Sequence, residues 1–335
     1  MKKSIIAITM GDASGIGPEV IVKALGQPTM YETCIPVVVG SESVLRHTIQ
    51  MVKSPAQLNP VSSVSEAKGQ FGTIDLLDLN NLDISDVVTG KVTEACGKAA
   101  MEYIDKAARL AIDGDVRAMV TAPINKEATK QAGYGDVGHL EFLARLTAAD
   151  EYATMLTTGP LRVVHLTTHF SLRDACDQVT RDNILGKLKL THQSFEKWGF
   201  DHPSIAVAAL NPHGSEGGLF GHEENEHIIP AVEGAIKLGI DARGPFPADS
   251  VFVRAIHGEF DVVLAMFHDQ GHIPIKVHGF ENSVSVALGL PFVRTSVDHG
   301  TAFEIAGKGI ADSQSLVEAF KTAVSLIEEK RLSKS

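Results

Sequence analysis

Apolar residues run along this chain in short continuous blocks, separated by longer stretches in which they recur every three or four positions. Ser4 to Met10, Ile35 to Val39 and Ala118 to Thr121 are blocks of the first kind. A continuous apolar run ended by Gly, Pro or Asp predicts a strand buried on both faces. Helical periodicity covers Pro18 to Leu25, Ser41 through Met51, Thr93 to Asp113, Thr180 to Trp198, Glu223 to Leu238 and Ser313 to Glu329. The helix ends carry suitable residues: Pro18 in a first turn, Ser41 as an N-cap, and Gly114 and Gly199 as stops. Residues Ser54 to Ser85 are the least regular and leave room for short strands or loops. Strand–helix alternation on this scale predicts βα units and a mainly parallel sheet.

Three further blocks lead into histidines. They are Leu161 to His169, which passes His165, Ile205 to His213, and Val262 to His268. Open parallel sheets bind ligands beyond the carboxyl ends of their strands, so these imidazoles are expected at one edge. Several neutral imidazoles around open positions form a catalytic rather than a structural metal site. A lone histidine at such an edge more often just bonds a neighbouring loop. A chain of 335 residues is long enough for about two domains. Gly and polar residues cluster from Gly133 to Gly138. We expect a first α/β domain from residues 1–135 and 305–335, and a second from 136–304.

Composition narrows the partners. A net charge of -11 argues against nucleic acid or an anionic membrane, since both need a basic face. No apolar run approaches the roughly 20 residues of a membrane span, and Ser4 to Met10 meets Gly11-Asp12 without a leader cleavage pattern. Cys34, Cys96 and Cys176 show no CxxC spacing, which predicts reduced thiols and a cytoplasmic protein.

Two loops carry further chemistry. Gly11-Asp12-Ala13-Ser14-Gly15-Ile16-Gly17-Pro18-Glu19 lacks the G-x-G-x-x-G spacing of the dinucleotide fingerprint, although a Gly loop entering a helix can still present N–H groups to an anion. Asp298 to Gly309 is rich in small residues and holds His299, Gly300, Thr301 and Gly307. It resembles the adenosine-binding loop of isocitrate and isopropylmalate dehydrogenases, which implies NAD binding through those four residues.

Five ordered segments carry a wider resemblance: Met10 to Glu19, Gly138 to Leu143, Asn211-Pro212-His213, Phe267 to Gly271, and Arg294 to Thr301. Together they resemble the 4-hydroxythreonine-4-phosphate dehydrogenase family. The resemblance implies a two-domain α/β/α fold with mainly parallel sheets and an active site in the interdomain cleft. It also implies a divalent metal (zinc, cobalt or magnesium) on His169, His213 and His268. Substrate contacts then fall to His139, Lys276 and Arg294, and the enzyme is a homodimer with a shared active site. His165 is left as a strand histidine facing the core. Asp249 and Asp269 are candidates for orienting the ligand histidines, and Lys276 for donating a proton.

Leu140 and Ser285 depart from that family's Thr and Asn. Loss of a hydroxyl and shortening of an amide alter the hydrogen bonds a pocket offers. The departures favour a second branch that acts on D-threonate or D-erythronate 4-phosphate, giving dihydroxyacetone phosphate and CO2. The alternatives are 4-hydroxy-L-threonine 4-phosphate as substrate and, from another class, a His-based metallohydrolase.

Overall fold

The apolar blocks become the inner strands. In the computed structural model, which describes residues 3–136 and 138–328, the strands are β1 Ser4–Thr9, β2 Cys34–Gly40, β3 Gln57–Val61, β4 Thr73–Asp78, β5 Ala118–Thr121 and β6 Ala153–Thr158. They continue with β7 Leu161–His165, β8 Ile205–Ala208, β9 Ala242–Phe246, β10 Val262–Ala265, β11 Val284–Leu288 and β12 Val293–Val297. Every residue of β5, β7, β8 and β10 is buried, as the unbroken apolar runs require. The mixed α/β class and the mainly parallel pairing are as expected.

The chain divides into two compact units, residues 1–149 with 290–327, and residues 150–289. These seams differ from those expected at 135 and 304. Helix His139–Thr147 packs on helix Glu94–Ile112, and β12 pairs with β5, so both elements join the first unit.

In the first unit the strands run β3-β4-β2-β1-β5-β12, all parallel. From β1 the chain builds outward to β2 and β4 on one side and to β5 and β12 on the other. The crevice at the ends of β1 and β5 is therefore the topological switch point, where such sheets bind ligands. The irregular segment from Ser54 to Ser85 supplies β3 and β4. Edge strand β3 keeps no fully buried residue and contains Pro60, which is why its pattern is faint.

In the second unit the order is β11-β6-β7-β10-β8-β9. Strands β7, β10, β8 and β9 are parallel, whereas β6 pairs antiparallel with both β7 and β11. One face of these strands, including Val163, Ala206 and Val263, packs against Val251, Phe252 and Ile275 of two helices. Those helices are Ala248–Ile256 and His268–Gly279. Gly271 permits the second approach, because a Cβ there would strike the His165 ring on β7.

Several helices match their expected limits. Thr93, Ser41 and Thr180 accept hydrogen bonds from the N–H groups of Cys96, Val44 and Asn183 as N-caps. The expected helix Glu223 to Leu238 begins instead as a π-turn, Glu224–Ile228, before α-helix Ile229–Lys237. The last helix spans Gln314–Ile327, and Glu329 lies outside the described residues. Among the described residues no helix is long and apolar enough to cross a membrane.

Candidate active site

At the switch point of the first unit, Gly11 (φ 70°) turns the chain off β1 so closely that any Cβ would meet the Ala122–Pro123 backbone. The Asp12 N–H then donates to the Pro123 carbonyl at 2.9 Å. Asp12 is fully buried, its Oδ1 accepts from the Ser14 N–H at 2.8 Å, and burial raises its carboxyl pKa to about 6.

The loop from Asp298 to Gly309 packs on this one. Ile16 donates to the Thr301 carbonyl at 3.0 Å, and a Cβ on Gly15 would sit 2.8 Å from Thr301. Lys23 Nζ binds the carbonyls of Gly309 (2.9 Å) and Ala311 (2.6 Å) and also Glu19 (3.0 Å). Glu19 in turn accepts from the Ala311 N–H at 2.8 Å. The two loops singled out by sequence therefore form one layer. His299 is half-buried with Nδ1 3.0 Å from the Gly300 carbonyl, and Gly307 (φ 73°) rests against Thr89.

Beside them the first unit holds a buried cation. Arg294, on β12, donates through Nη2 to Thr121 Oγ1 at 2.7 Å, while its Nε meets no partner among the described residues. Burial depresses its pKa to about 10, and Glu141 partly offsets that shift. His139 opens helix His139–Thr147 and bonds the Ala122 backbone, leaving a buried, unpartnered Nε2. Desolvation, followed by the charge of Arg294, holds its pKa well below 6.5, so the imidazole is neutral at physiological pH. A bare guanidinium N–H and a bare imidazole nitrogen at one edge suit an anion that also carries a hydroxyl.

In the second unit, β7, β10 and β8 lie side by side and parallel, so the chain leaves all three at the same edge. His169, His213 and His268 lie just past those ends, whereas His165 stays on β7 and is buried. The His169 and His268 ring centres are 6.5 Å apart. Among the described residues no group of three His, Cys, Asp or Glu side chains is gathered closely enough to hold an ion.

The donor chemistry nevertheless fits a transition metal. His268 Nδ1 lies 2.7 Å from Asp269 Oδ1, the carboxylate–histidine pairing that orients a ligating imidazole and leaves Nε2 available. His213 begins six successive residues with positive φ (57°, 68°, 62°, 45°, 73° and 105°), three of them not glycine. Strain of that kind collects at functional loops.

Lys276 donates to Ser283 Oγ at 3.3 Å and lies over the Phe280 ring, 4.8 Å from its centre. Asp249 is exposed in the first turn of helix Ala248–Ile256 and bonds no histidine among the described residues. His272, which sequence reasoning missed, stacks on His268 at 3.6 Å and 12° between ring planes. The spacing of four on a helix was the available signal.

Strand ends of this kind are the ligand-binding edges of α/β proteins, and the buried groups at the first of them suit an anion. A family profile described as "Pyridoxal phosphate biosynthetic protein PdxA" matches residues 32–323. Curated relatives from Halalkalibacterium halodurans and Oceanobacillus iheyensis, both provisionally named D-threonate 4-phosphate dehydrogenase, are 48% and 44% identical. The alignments cover 96% of both chains for the first, and 98% of this chain and 99% of the relative for the second. A crystal structure of 4-hydroxythreonine-4-phosphate dehydrogenase from Klebsiella pneumoniae is 40% identical with a TM-score of 0.91, covering 97% of this chain and 100% of that one. The chain belongs to the PdxA family and is a dehydrogenase acting on a CH–OH group. The metallohydrolase reading of the histidines is set aside.

Proposed function

We propose that this dehydrogenase carries out the NAD-dependent oxidative decarboxylation of a 4-phosphorylated four-carbon hydroxy acid. D-threonate 4-phosphate is the favoured substrate, followed by D-erythronate 4-phosphate, and the products are dihydroxyacetone phosphate and CO2. The observation that carries this reading is the buried Arg294–His139 pair, with one bare nitrogen on each. The names of the curated relatives support the sugar acid. So do Leu140 and Ser285, because an ammonium group entering the pocket would lose hydration that Leu140 cannot replace.

In this reading His169, His213 and His268 hold a divalent ion, with zinc or cobalt better suited to imidazole than magnesium. A bound ion would supply Lewis acidity to the substrate hydroxyl, and a bound NAD would supply the hydride acceptor that the oxidation needs. Arg294 binds a carboxylate or phosphate oxygen, and neutral His139 accepts a hydrogen bond from a substrate hydroxyl through Nε2. Lys276 is assigned to the substrate's anionic groups and to the proton that replaces CO2. Asp269 keeps the His268 ring in register. His299, Gly300, Thr301 and Gly307 are assigned to the adenosine end of NAD, on the layer pinned by Lys23 and Glu19.

The enzyme is assigned as a homodimer with a shared site. Ile273, Val277 and Phe280, exposed by 59%, 83% and 69%, recur every three or four residues on and just after helix His268–Gly279. That apolar stripe suits a second copy.

The test is a panel of 4-phosphorylated four-carbon acids assayed with NAD for reduced nicotinamide. Either sugar acid should give a higher kcat/KM than 4-hydroxythreonine 4-phosphate. The reverse order would sink the sugar-acid assignment.

A further inference from the structure

Gln270 stands where the three histidine-bearing strand ends come together. Its Oε1 accepts from the Met266 N–H at 2.7 Å, just past β10, and its Nε2 donates to the Ala209 carbonyl at 2.7 Å, just past β8. Met266 passes the link on, since its carbonyl accepts from Thr167 Oγ1 at 2.9 Å beyond β7. Leu166 also donates to the Ala265 carbonyl at 2.8 Å. The Ala209 N–H is itself bound to the Phe246 carbonyl on β9 at 2.8 Å, so this residue is held from both sides.

One more group fixes the loop that follows Ala209. The Glu224 carboxylate, 1% exposed, accepts from the N–H groups of Leu210 (2.9 Å) and Asn211 (2.7 Å) and from Asn211 Nδ2 (2.8 Å). His213 follows two residues later, in a strained backbone that needs such support.

We infer that Gln270, acting through Met266, Thr167 and Ala209, is a positioning residue that fixes where the His169, His213 and His268 loops leave their strands, and so how each of these histidines meets a divalent cation, whichever subunit supplies its fellow ligands. The inference rests on the metal reading above. A carboxamide suits the task because it both donates and accepts, and it bonds main-chain groups that stay in place whatever their side chains. Its Met266 and Ala209 partners are buried, so removing the amide leaves an N–H and a carbonyl without compensation. Groups that orient ligands without touching the metal typically change its affinity by about 10- to 100-fold.

The experiment titrates Co2+ into metal-free protein and follows visible d–d absorption together with calorimetry. Gln270→Glu keeps the acceptor but sets an oxygen against the Ala209 carbonyl, Gln270→Met removes both bonds, and Thr167→Val cuts the link to β7. Each variant is expected to bind Co2+ about 10- to 100-fold more weakly, with altered band positions. Its metal-free circular dichroism should match that of the unmodified protein. Wild-type affinity and spectrum in a folded Gln270→Glu protein and in Thr167→Val would overturn the positioning role while leaving the metal reading intact. Failure of the unmodified protein to bind Co2+ would overturn the metal reading and this inference with it. Should both Gln270 variants fail to fold, Thr167→Val alone decides.

Discussion

The two strand edges solve opposite problems. In the first unit the chemistry is buried: Arg294 is 5% exposed, and Thr121 and the Ala122 backbone fix it and His139 in place. In the second, His169 and His213 are exposed on loops past the strand ends, and their order comes from the main-chain network beneath them. Burying the guanidinium costs about 3 kcal/mol, judged from its depressed pKa. An anion that fills the site offsets that cost, which makes charge recognition strong and geometry-dependent. Exposed imidazoles carry little such cost, and their binding strength depends on how well the scaffold holds them.

The largest expected effect tests the exposed edge. His268→Ala or His169→Ala should lower kcat by roughly a thousandfold or more, since Lewis acidity is worth several kcal/mol, with little change in the thermal midpoint. Mixing the two inactive chains and letting them reassort tests the shared site. Random exchange makes half the dimers mixed, each with one intact site of two, so activity should return to about a quarter. Undiminished turnover after chelation would break the metal assignment, and no recovery from dimeric variants would place all ligands on one chain.

A smaller effect tests the buried edge. Arg294→Lys keeps the charge but loses the planar fork and the bond to Thr121, so kcat/KM should fall roughly 10- to 100-fold. Metal affinity, measured separately, should not move. Equal kinetics for the Lys variant would mean that the guanidinium serves the fold rather than the substrate.

The same contrast decides what was readable from sequence. Strands buried on both faces announce themselves, so β1, β2, β5, β7, β8 and β10 were visible, as were caps that depend on one local hydroxyl. Edge strand β3, half in water, carries no such pattern. The β6–β7 hairpin around Gly159-Pro160 was missed because it interrupts the parallel rule with an antiparallel pair. Candidate site residues were legible where the motif itself bears the chemistry, as with Arg294, His139 and the three histidines. Gln270 and Glu224 were not, because their partners are main-chain groups brought near only by folding. The seams shifted because helix His139–Thr147 is held by packing on another helix, which no local signal reports.

The last prediction concerns acid stability, where both halves bury a neutral histidine. His165 has its pKa pushed down to about 3 by burial and then by His272, against 6.5 when unfolded. Below pH 6.5 the unfolded chain takes up a proton that the folded chain refuses. Its contribution is therefore full above that point and is lost by about 1.4 kcal/mol per pH unit as pH falls toward 3. His139 acts with the same sign in the first unit. There Asp12 opposes it: its pKa, raised from 3.8 to about 6, lets the folded state bind a proton first, so stability is regained between about pH 6 and 3.8. The second unit's His165 has no such offset from Asp12. Denaturant unfolding between pH 6 and 4 should therefore show a shallower decline in His165→Gln, by about 1.4 kcal/mol per unit, even if that variant is less stable at pH 7. Amide exchange should show β7 and β10 losing protection in acid before β1 and β5. Equal slopes in the two proteins would mean that His165 finds a way to protonate while folded, and the contrast between the two edges would lose its electrostatic half.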